Sequence, residues 1–168
     1  MSLESPPAIR LAAPSDLLGI EYLGEQLMAS DKQYDHTLQA PTLYNIAGQE
    51  DILMDRIAAL GKSALCTVAT VQKYDHDKIV GFALARVVAP NAFRPMSSVL
   101  LEQICVDQGY RGLGIGTHLL DTVVSWATER DAAYVDLNVL AQNEAAMTFY
   151  QKAGFATVRL TMRHTLSG

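Results

Sequence analysis

The sequence has little basic charge, few cysteines and no long apolar run, and each shortage excludes a class of protein. The chain carries 13 Lys and Arg residues against 18 Asp and Glu residues, a formal charge of −5, so it lacks the basic surface of a nucleic-acid-binding protein. Its 2 cysteines, Cys66 and Cys105, lie in apolar runs, which predicts buried thiols rather than a disulfide or a metal pair. The 4 histidines show no ligand spacing, and we expect no bound metal.

Membrane and export signals are also missing from the sequence. No apolar stretch reaches the roughly 20 residues that span a bilayer, and Met1–Arg10 lacks the apolar core of a signal peptide. We therefore expect a cytoplasmic protein with no membrane partner. The remaining composition, 49% hydrophobic and 18% charged, is that of a globular protein. A chain of 168 residues predicts a single domain over residues 1–168, with a loose arm at residues 1–7.

Hydrophobic periodicity predicts an α/β (α+β) protein with the element order β-α-α-β-β-β-α-β-α-β. Ser15 is the expected N-cap of the first helix, and residues 73–78 indicate a hairpin turn. A mixed sheet covered by helices on both faces follows from this order. The predicted strands are residues 8–12, 64–71, 79–88, 99–106, 133–140 and 155–165. The predicted helices are residues 16–27, 49–60 and 144–153, with a further helix that follows the turn at 111–116 and reaches residue 127.

The most informative segment is residues 99–127, where an apolar strand leads through the turn Arg-Gly-Leu-Gly-Ile-Gly into a helix. The first N–H groups of a helix have no carbonyl partners and carry the positive end of its dipole, so they attract anions. Glycines at 112, 114 and 116 permit positive φ and let a phosphate approach the main chain. Glycines can also serve only to tighten a turn, but three alternating glycines at a helix start favour a pyrophosphate ligand.

The spacing of these glycines distinguishes among phosphate-binding motifs. No lysine follows them, which excludes a P-loop. The dinucleotide fingerprint needs a third glycine where this chain has Thr117 or Leu119, so that motif matches weakly. The remaining pattern, Arg-x-x-Gly-x-Gly across Arg111, Gly114 and Gly116, resembles the acetyl-CoA motif of the GNAT superfamily of N-acetyltransferases. Residues 143–155 (NEAAMTFYQKAGF) are similar to the other signature of that family.

The resemblance implies a mostly antiparallel sheet and acetyl-CoA as co-substrate, with no metal. Related folds often pair through edge strands or C-terminal segments, so it also suggests a homodimer. The main-chain N–H groups of residues 104–106 would face the thioester as oxyanion donors, and Asn143 would cap a helix and contact the pantetheine arm. The coenzyme contacts implied in this way are Ile104, Cys105, Val106, Arg111, Gly112, Leu113, Gly114, Ile115, Gly116, Thr117, Asn143, Ala146 and Phe149.

Acyl transfer to an amine requires a base, because only about one alkyl amine molecule in a thousand is unprotonated, and therefore nucleophilic, at pH 7. Counted in twos along the strand, Glu102 shares a face with Leu100 and Ile104, so we expect its carboxylate to be partly desolvated and suited to that role. Related acetyltransferases place a catalytic glutamate here, acting directly or through water, whereas an ordinary strand glutamate would face solvent or pair with a lysine. A bulge in the strand would reverse this parity.

Collapse of the tetrahedral intermediate expels a thiolate that needs a proton. Tyr150 is suited to supply it, because tyrosine keeps its proton at pH 7 and a helix holds it in place. In relatives the tyrosine of the Phe-Tyr pair lies near the coenzyme sulfur; otherwise Tyr150 would be a core residue with a satisfied hydroxyl.

Three functions are consistent with the sequence. The first is an acetyl-CoA-dependent N-acetyltransferase. Its acceptor would be a small amine, or a protein or peptide amine, because the acidic balance favours a cationic acceptor. The second is a non-catalytic acyl-CoA-binding or sensor domain, which Glu102 and Tyr150 argue against. The third is a dinucleotide-dependent enzyme, which the missing third glycine argues against.

Overall fold

The computed structural model describes residues 7–36, 63–73 and 76–166, so the helix predicted at 49–60 lies outside the described residues. Between Asn138 and Val139 the chain divides into two compact units. None of the described helices is long and apolar enough to cross a membrane. The elements are β1 (Ala8–Leu11), α1 (Leu17–Lys32), β2 (Ala64–Lys73), β3 (His76–Val88), β4 (Ser98–Val106), α2 (Ile115–Thr128), β5 (Val135–Leu137) and α3 (Glu144–Lys152).

The strands of the first unit form one sheet in the order β1-β2-β3-β4-β5. The first three pairings are antiparallel, and β5 pairs parallel to β4. Two parallel neighbours need a crossover between them, and α2 provides it. The mixed, mostly antiparallel sheet is therefore confirmed.

Helices cover both faces of this sheet, as predicted. On one face Phe82 and Cys105 pack with Ile20 and Leu23 of α1 in the main hydrophobic cluster, which also contains the other thiol, Cys66. Gly81, which directly precedes Phe82, faces the opposite side because side chains alternate along a strand. A Cβ built there would meet Leu119 Cδ1 at 3.1 Å and Ile115 Cγ2 at 3.3 Å, both from α2. Both thiols are buried and unbridged, as expected.

The start of α1 differs from the prediction, because the N-cap is Asp16 rather than Ser15. Residues Pro14–Asp16 form a 3₁₀ turn, and the Asp16 carboxylate makes no cap bond to the helix. It accepts instead from Arg10 Nη1 at 2.6 Å, Arg10 Nη2 at 2.9 Å and the Ala13 N–H at 2.7 Å. The hydrogen bond from Arg10 is the main cause that lowers the pKa of Asp16. This pair fastens α1 to β1.

The sequence overpredicts strand near the C-terminus. The strand predicted at 133–140 is shortened to Val135–Leu137, and the strand predicted at 155–165 is wrong. Val158, Leu160 and Met162 alternate with polar residues there, but their side chains are exposed. A strand forms only against a partner, and the described part of the second unit holds no other strand for this segment to pair with.

Candidate functional site

The glycine turn between β4 and α2 adopts a backbone that only glycine enters without strain. Gly112 has φ 77° and Gly114 has φ 80°, both in the left-handed region. Apart from chain neighbours, a Cβ built at either position would meet no atom of the described residues within 4 Å. The glycines therefore allow the turn and leave open space above it, and a bound phosphate stays a prediction.

The helix that follows begins with N–H groups that have no main-chain acceptor within the described part of the chain. Gly114 is the N-cap of α2 and offers no side-chain acceptor. The first main-chain hydrogen bond of the helix runs from the His118 N–H to the Gly114 carbonyl, at 3.1 Å. The N–H groups of Ile115, Gly116 and Thr117 precede that bond, at the positive end of the helix dipole. This end of α2 can hold an anion through main-chain donors.

Asp107 fixes the start of the turn against β3. Its N–H donates to the Val80 carbonyl at 2.9 Å, and its buried carboxylate accepts from the Gly109 N–H at 2.9 Å and from Lys78 Nζ at 3.1 Å. The Lys78 ammonium also lies 4.9 Å from the centre of the Tyr110 ring. The glycine turn is thus presented by a rigid support.

Sequence reasoning missed both Asp107 and Lys78. An aspartate directly after a strand and two residues before a glycine is a recognisable capping signal, and Asp107 is the N-cap of the Gln108–Tyr110 3₁₀ turn. Lys78 carries no comparable local signal, because its role depends on pairing between β3 and β4.

Arg111 places its guanidinium beside the end of β4. Its Nε donates to the Val106 carbonyl at 3.1 Å, and the residue is exposed at the turn. The guanidinium also lies near the Cys105 thiol, where burial raises the pKa to about 11 and the arginine charge opposes that rise. A positive charge is therefore held close to the anion-binding end of α2.

A β-bulge interrupts β4 at Glu102. Leu101 pairs with Ala85, and the next pair along the strands is Gln103 with Leu84, so the register with β3 passes over Glu102. The extra residue reverses the alternation of side chains and amides along the rest of β4.

The prediction that Glu102 shares a face with Leu100 and Ile104 is consequently wrong. Leu100 pairs with Arg86 and Ile104 pairs with Ala83, and these partners lie on opposite faces because they are three residues apart in a regular strand. The Glu102 side chain is 21% exposed, and its Oε1 accepts from Arg86 Nε at 2.7 Å. The carboxylate is thus partly desolvated, as expected, but an arginine holds it.

The bulge also decides which amides of β4 face away from β3. The Asp107 N–H donates to β3, and N–H directions alternate along a strand, so the N–H of Cys105 faces β3 as well. The N–H groups of Ile104 and Val106 face the other side. Two of the three predicted oxyanion donors thus point away from β3, and their contact with a thioester stays a prediction.

Among the described residues of the first unit, no strand pairs with that side of β4 beyond the bulge, and this stretch is an open edge. Pairing with β5 ends at Leu101 and Leu137, and the Val106 carbonyl on this side accepts from Arg111. The open edge ends at the turn that leads into α2. Together they provide main-chain donors for an extended ligand with an anionic part and a carbonyl group.

The other predicted site residues belong to the second unit. Asn143 is the N-cap of α3, and its Oδ1 accepts from the Ala146 N–H at 3.0 Å, as predicted. The Tyr150 ring lies 5.2 Å from the Phe149 ring and 5.9 Å from the Phe155 ring, measured between centroids. The contacts of Asn143, Ala146, Phe149 and Tyr150 with a coenzyme stay predictions.

Comparison with known proteins gives one consistent family. The sequence model of the acetyltransferase (GNAT) family matches residues 31–155. The [ribosomal protein bS18]-alanine N-acetyltransferase of Escherichia coli K12 is 32% identical over 99 residues, 58% of this chain and 62% of that protein. N-alpha-acetyltransferase 30 of Schizosaccharomyces pombe is 32% identical over 68 residues, 40% of this chain and 45% of that protein. The chain spans less than two thirds of the length of these relatives.

Solved structures agree on the fold. The tetramutant of the BH1408 protein from Bacillus halodurans superposes with a TM-score of 0.79 at 21% identity, covering 95% of this chain and 99% of that one. Glucosamine-6-phosphate N-acetyltransferase from Arabidopsis thaliana superposes with a TM-score of 0.70 at 17% identity, covering 97% and 100%. At these identities the likeness concerns the fold alone.

Proposed function

The chain belongs to the acetyltransferase (GNAT) family, and on that premise we propose that it transfers an acetyl group from acetyl-CoA to a primary amine. One observation carries this proposal. Within the part of the first unit that the structure describes, the open edge of β4 leads directly to three N–H groups at the start of α2 that have no main-chain acceptor, below two glycines with positive φ. A thioester joined to a diphosphate by an extended arm matches that arrangement of donors.

The diphosphate would bind at the start of α2. The N–H groups of residues 115–117 would donate to its oxygens, and the open space above Gly112 and Gly114 admits a bulky phosphate. Arg111 would add a cation. This local attraction is needed because the net charge of −5 opposes long-range attraction of a polyanion.

The N–H groups of Ile104 and Val106 would stabilise the charge that develops on the thioester oxygen. They belong to a strand that β3 holds in place, so little reorganisation is needed as the charge forms. Acetyl-CoA supplies the activated acetyl group.

Glu102 is the proposed base. It takes one proton from the acceptor ammonium, directly or through water, and the neutral nitrogen forms a bond to the acetyl carbon. The carbon–sulfur bond then breaks, and Tyr150 is proposed to protonate the departing thiolate. The nitrogen gives its second proton to the tyrosinate, which restores the Tyr150 hydroxyl, and Glu102 releases its proton to solvent. The products are an N-acetyl amine, free coenzyme A and one proton.

For the acceptor we propose a protein or peptide amine first and a small amine second. Two relatives are named for acetylation of a ribosomal-protein alanine and for N-alpha-acetylation. The acidic chain would attract a cationic amine. A homodimer and a cytoplasmic location stay predictions.

The test is an acceptor panel assayed for acetylated product by mass spectrometry and for released coenzyme A thiol. The panel contains peptides with a free N-terminus, the same peptides with an acetyl-blocked N-terminus, and small polyamines. Product formation that depends on the free amine supports the proposal. Acetyl-CoA binding without product from any acceptor would favour the non-catalytic acyl-CoA sensor instead.

A further inference from the structure

The mechanism described so far uses Glu102 but assigns no role to Arg86, which forms an ion pair with it. Arg86 lies on β3 opposite Leu100, two residues before the bulged glutamate. Its Nε reaches diagonally to Glu102 Oε1 at 2.7 Å, with 35% of the arginine side chain and 21% of the glutamate side chain exposed. The contact therefore spans the bulge rather than a directly paired position.

The bulge gives this ion pair its geometry. The register with β3 passes directly from Leu101 to Gln103, so Glu102 occupies the bulge. Its side chain is oriented by contacts outside the regular cross-strand pairs, and the bond from Arg86 is one of them. A guanidinium is planar, and a bond from its Nε fixes the direction in which the carboxylate points.

We propose that Arg86 is a positioning residue that holds the Glu102 carboxylate in the orientation needed to accept the proton of the acceptor amine. This inference rests on the proposed function, because it assigns a partner to the proposed base. Arg86 forms and breaks no covalent bond in the reaction. Ion pairs of this exposure contribute little to folding, so a purely structural role would leave turnover unchanged.

The chain offers a matched control in Arg94. Its Nη1 bonds to Asp136 Oδ2 at 3.2 Å, with 37% and 30% of the two side chains exposed. Asp136 is the β5 partner of Leu100, just as Arg86 is its β3 partner, so both pairs lie at the same level of the sheet. Arg94→Gln removes an equivalent ion pair without touching Glu102.

The experiment compares Arg86→Gln, Arg86→Lys, Glu102→Gln, the Arg86→Gln/Glu102→Gln double variant and Arg94→Gln. Steady-state kinetics use a free-amine peptide that the acceptor panel identifies, and thermal unfolding verifies that each variant folds. We expect Arg86→Gln to lower kcat about tenfold with an unchanged KM for acetyl-CoA, because the base is misaligned. Arg86→Lys should recover part of the loss, and Arg94→Gln should retain wild-type kcat.

The double variant gives the most selective readout. If Arg86 acts through Glu102, removing both side chains costs no more than Glu102→Gln alone. Three results would overturn the inference while Glu102 stays the base. The losses in kcat of the two single variants could multiply in the double variant, Arg86→Gln could keep the wild-type kcat, or Arg94→Gln could lose as much kcat as Arg86→Gln. An unchanged kcat in Glu102→Gln, or a wild-type protein with no acceptor, would remove the proposed base or the proposed function, and the inference with it.

Discussion

Replacing Gly114 by alanine separates the need for glycine in the turn from the need for open space above it. Gly114 has φ 80°, and a residue with a Cβ pays roughly 1–2 kcal/mol there. Apart from chain neighbours, the Cβ would meet no atom of the described residues within 4 Å, so no clash with them adds to this strain. For a chain of this length each kcal/mol lowers the melting temperature by about 2–4 °C. Gly114→Ala should therefore unfold about 2–8 °C below the wild type.

The effect on acetyl-CoA binding should be larger than this strain implies. The new methyl group would occupy the space that the diphosphate is proposed to fill, beside the N–H groups of residues 115–117. A hydrogen bond to a charged group contributes about 1.5–3 kcal/mol. Loss of one such bond raises Kd about ten- to hundredfold.

Isothermal titration with acetyl-CoA measures this Kd, and thermal unfolding measures the strain independently. Gly109→Ala is the matched control, because a Cβ there has one ordinary contact, with Asp107 Oδ1 at 3.5 Å, and needs no positive φ. It should retain wild-type affinity. A Gly114→Ala protein that loses stability as expected and binds acetyl-CoA within twofold of the wild type would refute the diphosphate assignment.

Three further outcomes follow from the same geometry. Glu102→Gln should lower kcat by about 10²–10⁴-fold, measured by product formation at neutral pH, with acetyl-CoA affinity nearly unchanged; an equal kcat would exclude the base role. Tyr150→Phe should lower kcat and retain most of the stability, because the ring contacts with Phe149 and Phe155 survive; unchanged turnover would assign Tyr150 to packing. Burial raises the pKa of Cys66 to about 12 and of Cys105 to about 11 from 9.0, so thiol ionisation favours the unfolded chain above about pH 9. Stability measured by denaturant unfolding should fall between about pH 9 and about pH 11, and fall less in a variant that lacks both thiols; an equal fall would contradict this assignment.

Features that depend on a few neighbouring residues were predictable from the sequence. The glycine turn and the Asn143 cap are local motifs, and the structure confirms both the positive φ at Gly114 and the cap bond to Ala146. The apolar stripes of α1 and α2 are likewise a local periodicity, and both helices bury them against the sheet.

Features that depend on strand pairing were not predictable. The bulge at Glu102 lies in an unbroken run of strand-forming residues and has no glycine to mark it. Its position is set by the register with β3, which residues far along the chain determine. Arg86 could not be assigned to Glu102 for the same reason.

The predicted last strand shows the opposite error. Residues 155–165 have the alternation of a strand, with Val158 and Leu160 on one side. An alternation of apolar and polar residues indicates only that a segment could pair with a strand. The described part of the second unit contains α3 and no strand. Pairing partners, rather than periodicity, decide whether such a segment becomes a strand.

The most direct test is a crystal structure of the protein with bound acetyl-CoA. The account predicts diphosphate oxygens at roughly 3 Å from the amide nitrogens of Ile115, Gly116 and Thr117, with the thioester oxygen facing the N–H groups of Ile104 and Val106. A diphosphate bound elsewhere, with the amides at the start of α2 still facing solvent, would contradict it.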